Sequence, residues 1–202
     1  MGRAYRRLRF GEPVVVVSGL PRSGTSMMMQ MLKAGGLPII ADHRREADKS
    51  NPQGYFELER VKELDKGGDT SWLRPARGGA VKIIAYLLRY LPEQINYKVL
   101  FMRRDIDEVL VSQRKLLAAL DQPAGTDDER MRRLFVGHLA QARRLLKDRS
   151  CFDPFEVCFQ QAVADPTTAA AAVIRFLRKD LDVRAMAAAV RPDLYRNRGT
   201  DK

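Results

Sequence analysis

The chain has 202 residues, 45% hydrophobic and 30% charged, which is enough for one compact domain with a real core and excludes a disordered chain. Lys and Arg number 36 against 25 Asp and Glu, a formal net charge of +11; that sign suits a polyanionic ligand or an acidic substrate, and equally a generally arginine-rich proteome. No helix-turn-helix, zinc-finger or aromatic RNA-binding signature accompanies the charge, so nucleic acid is not called for, and no apolar run approaches the ~18 residues of a membrane span.

Residues 1–12 read as a basic, loosely held lead-in. Met1-Gly2 begins like a myristoylation signal, but Arg6 stands where that signal needs Ser or Thr. Residues 14–17 are four consecutive valines, bounded by Pro13 and Gly19, and predict a strand buried on both faces. A tight polar loop follows over 18–24. Thr25 and Ser26 then open an apolar helix that runs to Lys33 and stops at Gly35-Gly36. Strand, Gly-rich loop and helix point several backbone N–H groups at one spot, and the helix dipole adds roughly half a positive charge there. The guest that geometry suits is an anion, a phosphate or sulfate.

The loop nearly matches the nucleotide-binding pattern G-x-x-x-x-G-K-[ST]. Gly19, Gly24 and Ser26 fall on its two glycines and its Ser/Thr, but Thr25 holds the Lys position and the cation is Arg22. Thr25 cannot supply the charge that reaches the β- and γ-phosphates, which argues against ordinary ATP or GTP hydrolysis. Arg22 can clamp a tetrahedral anion with a bidentate fork.

Residues 37–40 form a short apolar run, a predicted second strand, and 42–51 an exposed charged loop. The run from Asn51 to Glu57, NPQGYFE, combines turn signals with an aromatic pair and a carboxylate. It reads either as a loop packed back on the domain, holding Glu57 in place, or as a helix start. Residues 65–79 read as a flexible loop or lid containing the only Trp, Trp72. A third strand is predicted over 80–84, with Lys82 in it, and a short helix over 86–91 before Pro92.

The fourth strand, 97–102, runs into Arg103-Arg104-Asp105 and a helix over 106–120 with Asp105 as N-cap. Ser112 lies about two turns in. An Arg at the end of a strand and a Ser on the following helix can converge on one phosphate. Thr126 with Glu129 fits a capping box for the next helix, whose apolar stripe includes His138; a histidine so placed is more often a core residue than a catalyst. A fifth strand is predicted over 155–159, a helix from Asp165-Pro166 to Leu177, and a last short helix from near Asp182. Cys151 and Cys158 make neither a metal spacing nor a disulfide framework and predict a reduced, cytoplasmic protein. The expected organisation is a single domain over 1–202, with a tail over 191–202.

Taken together, PRSGTS after a hydrophobic strand resembles the 5′-phosphosulfate loop of sulfotransferases that use 3′-phosphoadenosine 5′-phosphosulfate (PAPS). The step from Arg104 to Ser112 resembles the 3′-phosphate motif of the same family. The family's usual Pro after the Arg is replaced by Ile106, which leaves Arg103 and Arg104 both open. Residues 51–57 are similar to an N-P-x-G-Y-F-E segment of bacterial members, and Arg196 and Arg198 before Gly199 loosely resemble the C-terminal loop that closes the nucleotide site. The resemblance implies an α/β, three-layer P-loop-like fold with a mainly parallel sheet of about five strands flanked by helices. It implies PAPS as the donor, no metal, and transfer of a sulfuryl group to the hydroxyl or amine of an unidentified acceptor. Arg22, Ser23, Gly24, Thr25 and Ser26 would hold the phosphosulfate; Arg104 and Ser112, with Arg196 and Arg198, the rest of the nucleotide. Glu57, His43 or His138 would be the base, and Lys82 would add positive charge at the transferring group. A P-loop kinase or ATPase, a non-catalytic nucleotide-binding protein and a nucleic-acid binder are the rival readings. Oligomeric state is left open.

Overall fold

The structure, a computed structural model, describes residues 3–42, 54–119 and 127–195. In chain order the regular elements are α1 (Arg3–Phe10), β1 (Val14–Gly19), α2 (Thr25–Ala34), α3 (Glu59–Lys62), β2 (Ala80–Lys82), β3 (Tyr97–Arg103), α4 (Ile106–Ala119), α5 (Asp128–Asp148), β4 (Phe152–Cys158), α6 (Phe159–Ala164), α7 (Pro166–Leu177) and α8 (Val183–Ala188). The strands form one parallel sheet in the order β2-β1-β3-β4.

The valine run explains itself in this arrangement. Successive strand side chains point to opposite faces. Val14 and Val16 join one core cluster with Leu73, Leu88, Phe101 and Leu146, whereas Val15 and Val17 join the other with Met28, Leu32, Leu100 and Val173. All four valines are fully buried. Both faces of the sheet are therefore covered, the condition under which a parallel strand reads as continuous apolar sequence. Burying each such side chain contributes about 1.5–3 kcal/mol.

Among the described residues, four strands stand where five were expected. Residues 37–40 contribute only an isolated bridge, Ile39 opposite Ala80. Gly36 turns the chain at φ 93° and Pro38 has no N–H to donate, so the run cannot build a full ladder. β4 starts earlier than the sequence suggests and includes Pro154, which an edge strand tolerates.

The basic lead-in is a helix, and it is anchored. Arg6 of α1 donates to Asn96 Oδ1 at 3.1 Å and to the carbonyls of Glu93 and Ile95. Residues 65–79 are not a lid: Trp72, Leu73 and Ala76 are buried in the first core cluster. Trp72 is core. The cap of α5 is Asp127, whose side chain accepts from the Glu129 N–H; Thr126 lies outside the described residues. Asp105, Asp165 and Asp182 cap α4, α7 and α8, each accepting backbone N–H bonds, as their positions before apolar-periodic runs foretold. Among the described residues no helix is long and apolar enough to cross a membrane.

Candidate functional site

β1 and β3 are neighbours and parallel, so the loops that follow them open at the same edge of the sheet. The loop after β1 is held by two glycines that nothing else can replace. A Cβ on Gly19, at φ 148°, would sit 2.5 Å from Ser23 Oγ and 2.7 Å from the Met102 carbonyl. A Cβ on Gly24, at φ 99°, would sit 2.4 Å from the Phe159 ring. Ser23 Oγ donates to the Leu20 carbonyl at 2.7 Å and tightens the turn. Gly24 is the N-cap of α2, and no side-chain hydrogen bond caps that helix. The first-turn N–H groups and the positive end of the dipole therefore face the open edge. Arg22 lies within this turn at φ 65°, a conformation that costs a non-glycine residue about 1–2 kcal/mol.

The loop forms one wall of a cleft of about 360 Å³. Arg22, Gly24, Thr25 and Ser26 line one side; Tyr55, Glu57 and Lys82 another; Arg104, Phe159 and Tyr195 a third. Arg22 Nε donates to Ser112 Oγ at 3.0 Å, and Arg104 Nη1 donates to the Arg22 carbonyl at 3.0 Å. The structure thus brings together the two separated segments that the sequence singled out. It also separates the two arginines left open: Arg104 lines the cleft, whereas Arg103 is exposed and pairs with Glu156 at 3.2 Å.

Arg104 carries a partner that sequence reasoning missed. Its Nε donates to Glu108 Oε2 at 2.8 Å, and both side chains are under a tenth exposed. The guanidinium carbon lies 4.4 Å from the centroid of the Phe159 ring and 5.3 Å from that of Tyr195, and those two rings meet edge to face. Tyr195 donates its hydroxyl to Glu108 Oε1 at 2.6 Å. Arg104 is therefore a braced, desolvated cation. Glu108 could have been suspected from its place four residues after Arg104 on the predicted helix. Tyr195 left no signal in the sequence, and Phe159 was hidden by being placed within a strand.

Glu57 reaches the cleft on a strained turn. Gly54 has φ 87° and Phe56 φ 50°. Tyr55 and Phe56 are buried, which holds the turn against the domain. The Glu57 carbonyl accepts from Asp42 N–H at 3.1 Å, and Asp42 Oδ2 accepts from Glu59 N–H at 2.6 Å. Lys82, at the end of β2, donates to the Tyr55 carbonyl at 2.8 Å and stands 3.9 Å from Glu57 Oε1. Lys62 approaches the other carboxylate oxygen at 3.6 Å. Gln113, next to Ser112, also lines the cleft; its Oε1 is buried without a hydrogen-bond partner among the described residues.

His138 is not at this site. It lies on α5 against Tyr86, ring centroids 5.8 Å apart, in a separate hollow with Arg89. Burial, and then the nearby Arg89, push its pKa below the ordinary histidine value. His43, Arg196 and Arg198 lie outside the described residues.

The architecture is a P-loop-like α/β fold: a parallel sheet with helices on both faces and the Gly-rich loop at the end of its central β1. The solved structures that share it include two sulfotransferase domains. One is from the curacin biosynthetic pathway, with TM-score 0.55, 12% identity, and coverage of 91% of this chain and 79% of that one. The other is from the Synechococcus PCC 7002 olefin synthase, with TM-score 0.56, 18% identity, and coverage of 94% and 81%. No protein-family model and no curated protein matches the sequence. At these identities the likeness establishes the fold.

Proposed function

We propose that the chain is a sulfotransferase that moves a sulfuryl group from PAPS to an acceptor hydroxyl or amine. The observation that carries this reading is the meeting of two cationic segments: Arg22, in a Gly-rich loop before an uncapped helix, against Ser112 and Arg104 of the next parallel strand-and-helix unit. A site built from helix N–H groups and guanidinium forks suits a tetrahedral anion without a metal. The absence of Lys at position 25 disfavours a P-loop kinase or ATPase. The two sulfotransferase domains of the same fold support the assignment.

In this reading the loop amides of residues 23–26 and Arg22 hold the 5′-phosphosulfate. The acceptor oxygen forms a bond to sulfur as the sulfur–oxygen bond to the 5′-phosphate breaks. The acceptor proton passes to the Glu57 carboxylate, and adenosine 3′,5′-bisphosphate leaves. Arg22 offsets the charge that develops on the departing oxygen, and Lys82 adds positive charge beside the transferring group. The protein's contribution is positioning and electrostatics, as in phosphoryl transfer.

Arg104 and Ser112 are the groups for the 3′-phosphate. Glu108 already shares the Arg104 charge, so a phosphate there competes with, or displaces, that carboxylate. Calorimetry with adenosine 3′,5′-bisphosphate against ADP tests the donor assignment on which the reading depends. Clear preference for the bisphosphate is expected; equal affinity, or preference for ADP with Mg²⁺, rejects it.

A further inference from the structure

α1 is turned the wrong way round for a surface helix. Helical residues three apart share a face, and a surface helix ordinarily turns its apolar stripe to the core. In α1 the inward group is a cation: Arg6 is 7% exposed and anchors the helix to Asn96 and to the carbonyls of Glu93 and Ile95. The apolar side chains Tyr5 and Leu8, three apart, are 48% and 88% exposed. Leu8 is the most exposed large apolar side chain among the described residues. Phe10 is half-buried, with the guanidinium carbons of Arg6 and Arg9 at 4.8 and 5.3 Å from its ring centroid.

Cations surround this apolar pair. α1 contains no acidic residue. Arg7 and Arg9 are exposed, and Arg7 borders a hollow shared with the exposed Arg175 and Arg178 at the end of α7. None of these four has a carboxylate partner among the described residues. The neighbouring carboxylates Glu12 and Asp153 are engaged by Lys179 at 2.7 Å and Lys98 at 3.3 Å. Tyr5 and Leu8 offer far less area than the ~1,200 Å² of a stable protein interface. A second copy of the chain would set the same arginines against each other. The phosphates of a nucleic acid give Leu8 nothing apolar to bury against. An anionic bilayer supplies both halves: headgroup charges for the guanidinium groups, and hydrocarbon beneath them for Leu8, with Tyr5 at the boundary.

We propose that α1 docks the chain on anionic phospholipid surfaces. Leu8 and Tyr5 enter the boundary between headgroups and acyl chains, while Arg7, Arg9, Arg175 and Arg178 meet the lipid phosphates. The binding is weak and reversible, because it rests on one inserted leucine and a few cations. Arg6 holds the helix in place beforehand, so docking does not have to order it. The cleft opens at the opposite, carboxyl edge of the sheet and stays uncovered. The proposal is therefore independent of the sulfuryl-transfer reading.

The full chain is sedimented with vesicles of phosphatidylcholine alone, or of phosphatidylcholine with about one third phosphatidylserine. Binding to the mixed vesicles is expected, tighter by about tenfold or more than to phosphatidylcholine alone and weakening as salt is raised. Arg6→Met removes the anchor of α1 and can unfold the chain, so the exposed double variant Y5S/L8S carries the test. It keeps every cation and should weaken binding to the mixed vesicles by about tenfold with the urea midpoint unchanged. In Leu8→Trp, the emission should shift to shorter wavelength on the mixed vesicles, over the constant signal of the buried Trp72. No binding to the mixed vesicles overturns the proposal. Binding that Y5S/L8S leaves unchanged would reduce α1 to surface charge. Binding to duplex DNA or polyglutamate as tight as to the vesicles would give the arginines to a nucleic acid or an acidic protein. A dimer that Y5S/L8S dissolves would give the face to a second copy. Each of these results also overturns it.

Discussion

At the carboxyl end of the sheet, Arg104 is buried and matched: Glu108 takes its charge, and two aromatic rings enclose it. At the amino end, Arg6 is as deeply buried, but its hydrogen bonds go to neutral acceptors and its guanidinium carbon lies 4.8 Å from the centroid of the Phe10 ring. The two ends share a charge sign and differ in how the backbone meets it. The carboxyl end adds a helix start without a side-chain cap and a loop that only glycine can thread, so the backbone N–H groups there are held in fixed directions. The amino end, where β3 and β4 begin, offers side-chain cations without such a loop. Net charge by itself therefore does not distinguish the two ends of this sheet; the backbone geometry does.

The contrast can be broken at the loop first. Gly24→Ala should abolish donor binding and lower stability by about 2–4 kcal/mol, from backbone strain plus the clash with Phe159. Gly36→Ala is the control: it has φ 93° but open space around the added methyl, so only the backbone part, about 1–2 kcal/mol, should appear in urea unfolding. Equal losses in the two variants would mean that the Phe159 contact does not shape the loop. Next, Glu57→Gln should slow transfer by about 10²–10⁴-fold with donor affinity unchanged in calorimetry. Unchanged transfer would give the proton to another group. Arg22→Ala should cost about 10²–10³-fold in kcat, and near-normal turnover would remove it from the mechanism. The smallest effect sharpens the comparison instead. Glu108→Gln relieves Arg104 of its competing carboxylate and should tighten adenosine 3′,5′-bisphosphate by about tenfold. Weaker binding would show that Glu108 serves as a brace for Arg104, and unchanged binding would show that Arg104 is not a phosphate ligand.

Much of this was legible in the sequence because it is local. The valine run, the loop glycines and the Asp caps are each decided within a few residues, and the two segments that meet at the cleft were visible by their spacing. The Arg104–Glu108 pair was also within reach, at one helical turn. What escaped depends on distant partners. The anchoring of α1 needs Asn96, 90 residues from Arg6. The enclosure of Arg104 by Tyr195 needs the end of the described chain to fold back over α4, which no periodicity announces. The loss of a fifth strand turned on Pro38 and on how little of 37–40 could pair with β2. His138 stood on an apolar helix stripe, where a histidine is more often core than catalyst, and the packing of α5 sets it against Tyr86, away from the cleft.

The strand that carries the Gly-rich loop sits in the middle of the sheet, and both of its neighbours come much later in the chain. Val15 pairs with Ala80, and Val14 with Tyr97. A nascent chain that has emerged only as far as the loop and α2 has no ladder to stabilise either. Such long-range pairing makes for slow folding, because loop closure comes before any reward in contacts. Fragments ending before β2 should therefore show no protected amides in residues 14–19 by hydrogen exchange. Protection there in such a fragment would mean that β1 finds its shape without its neighbours.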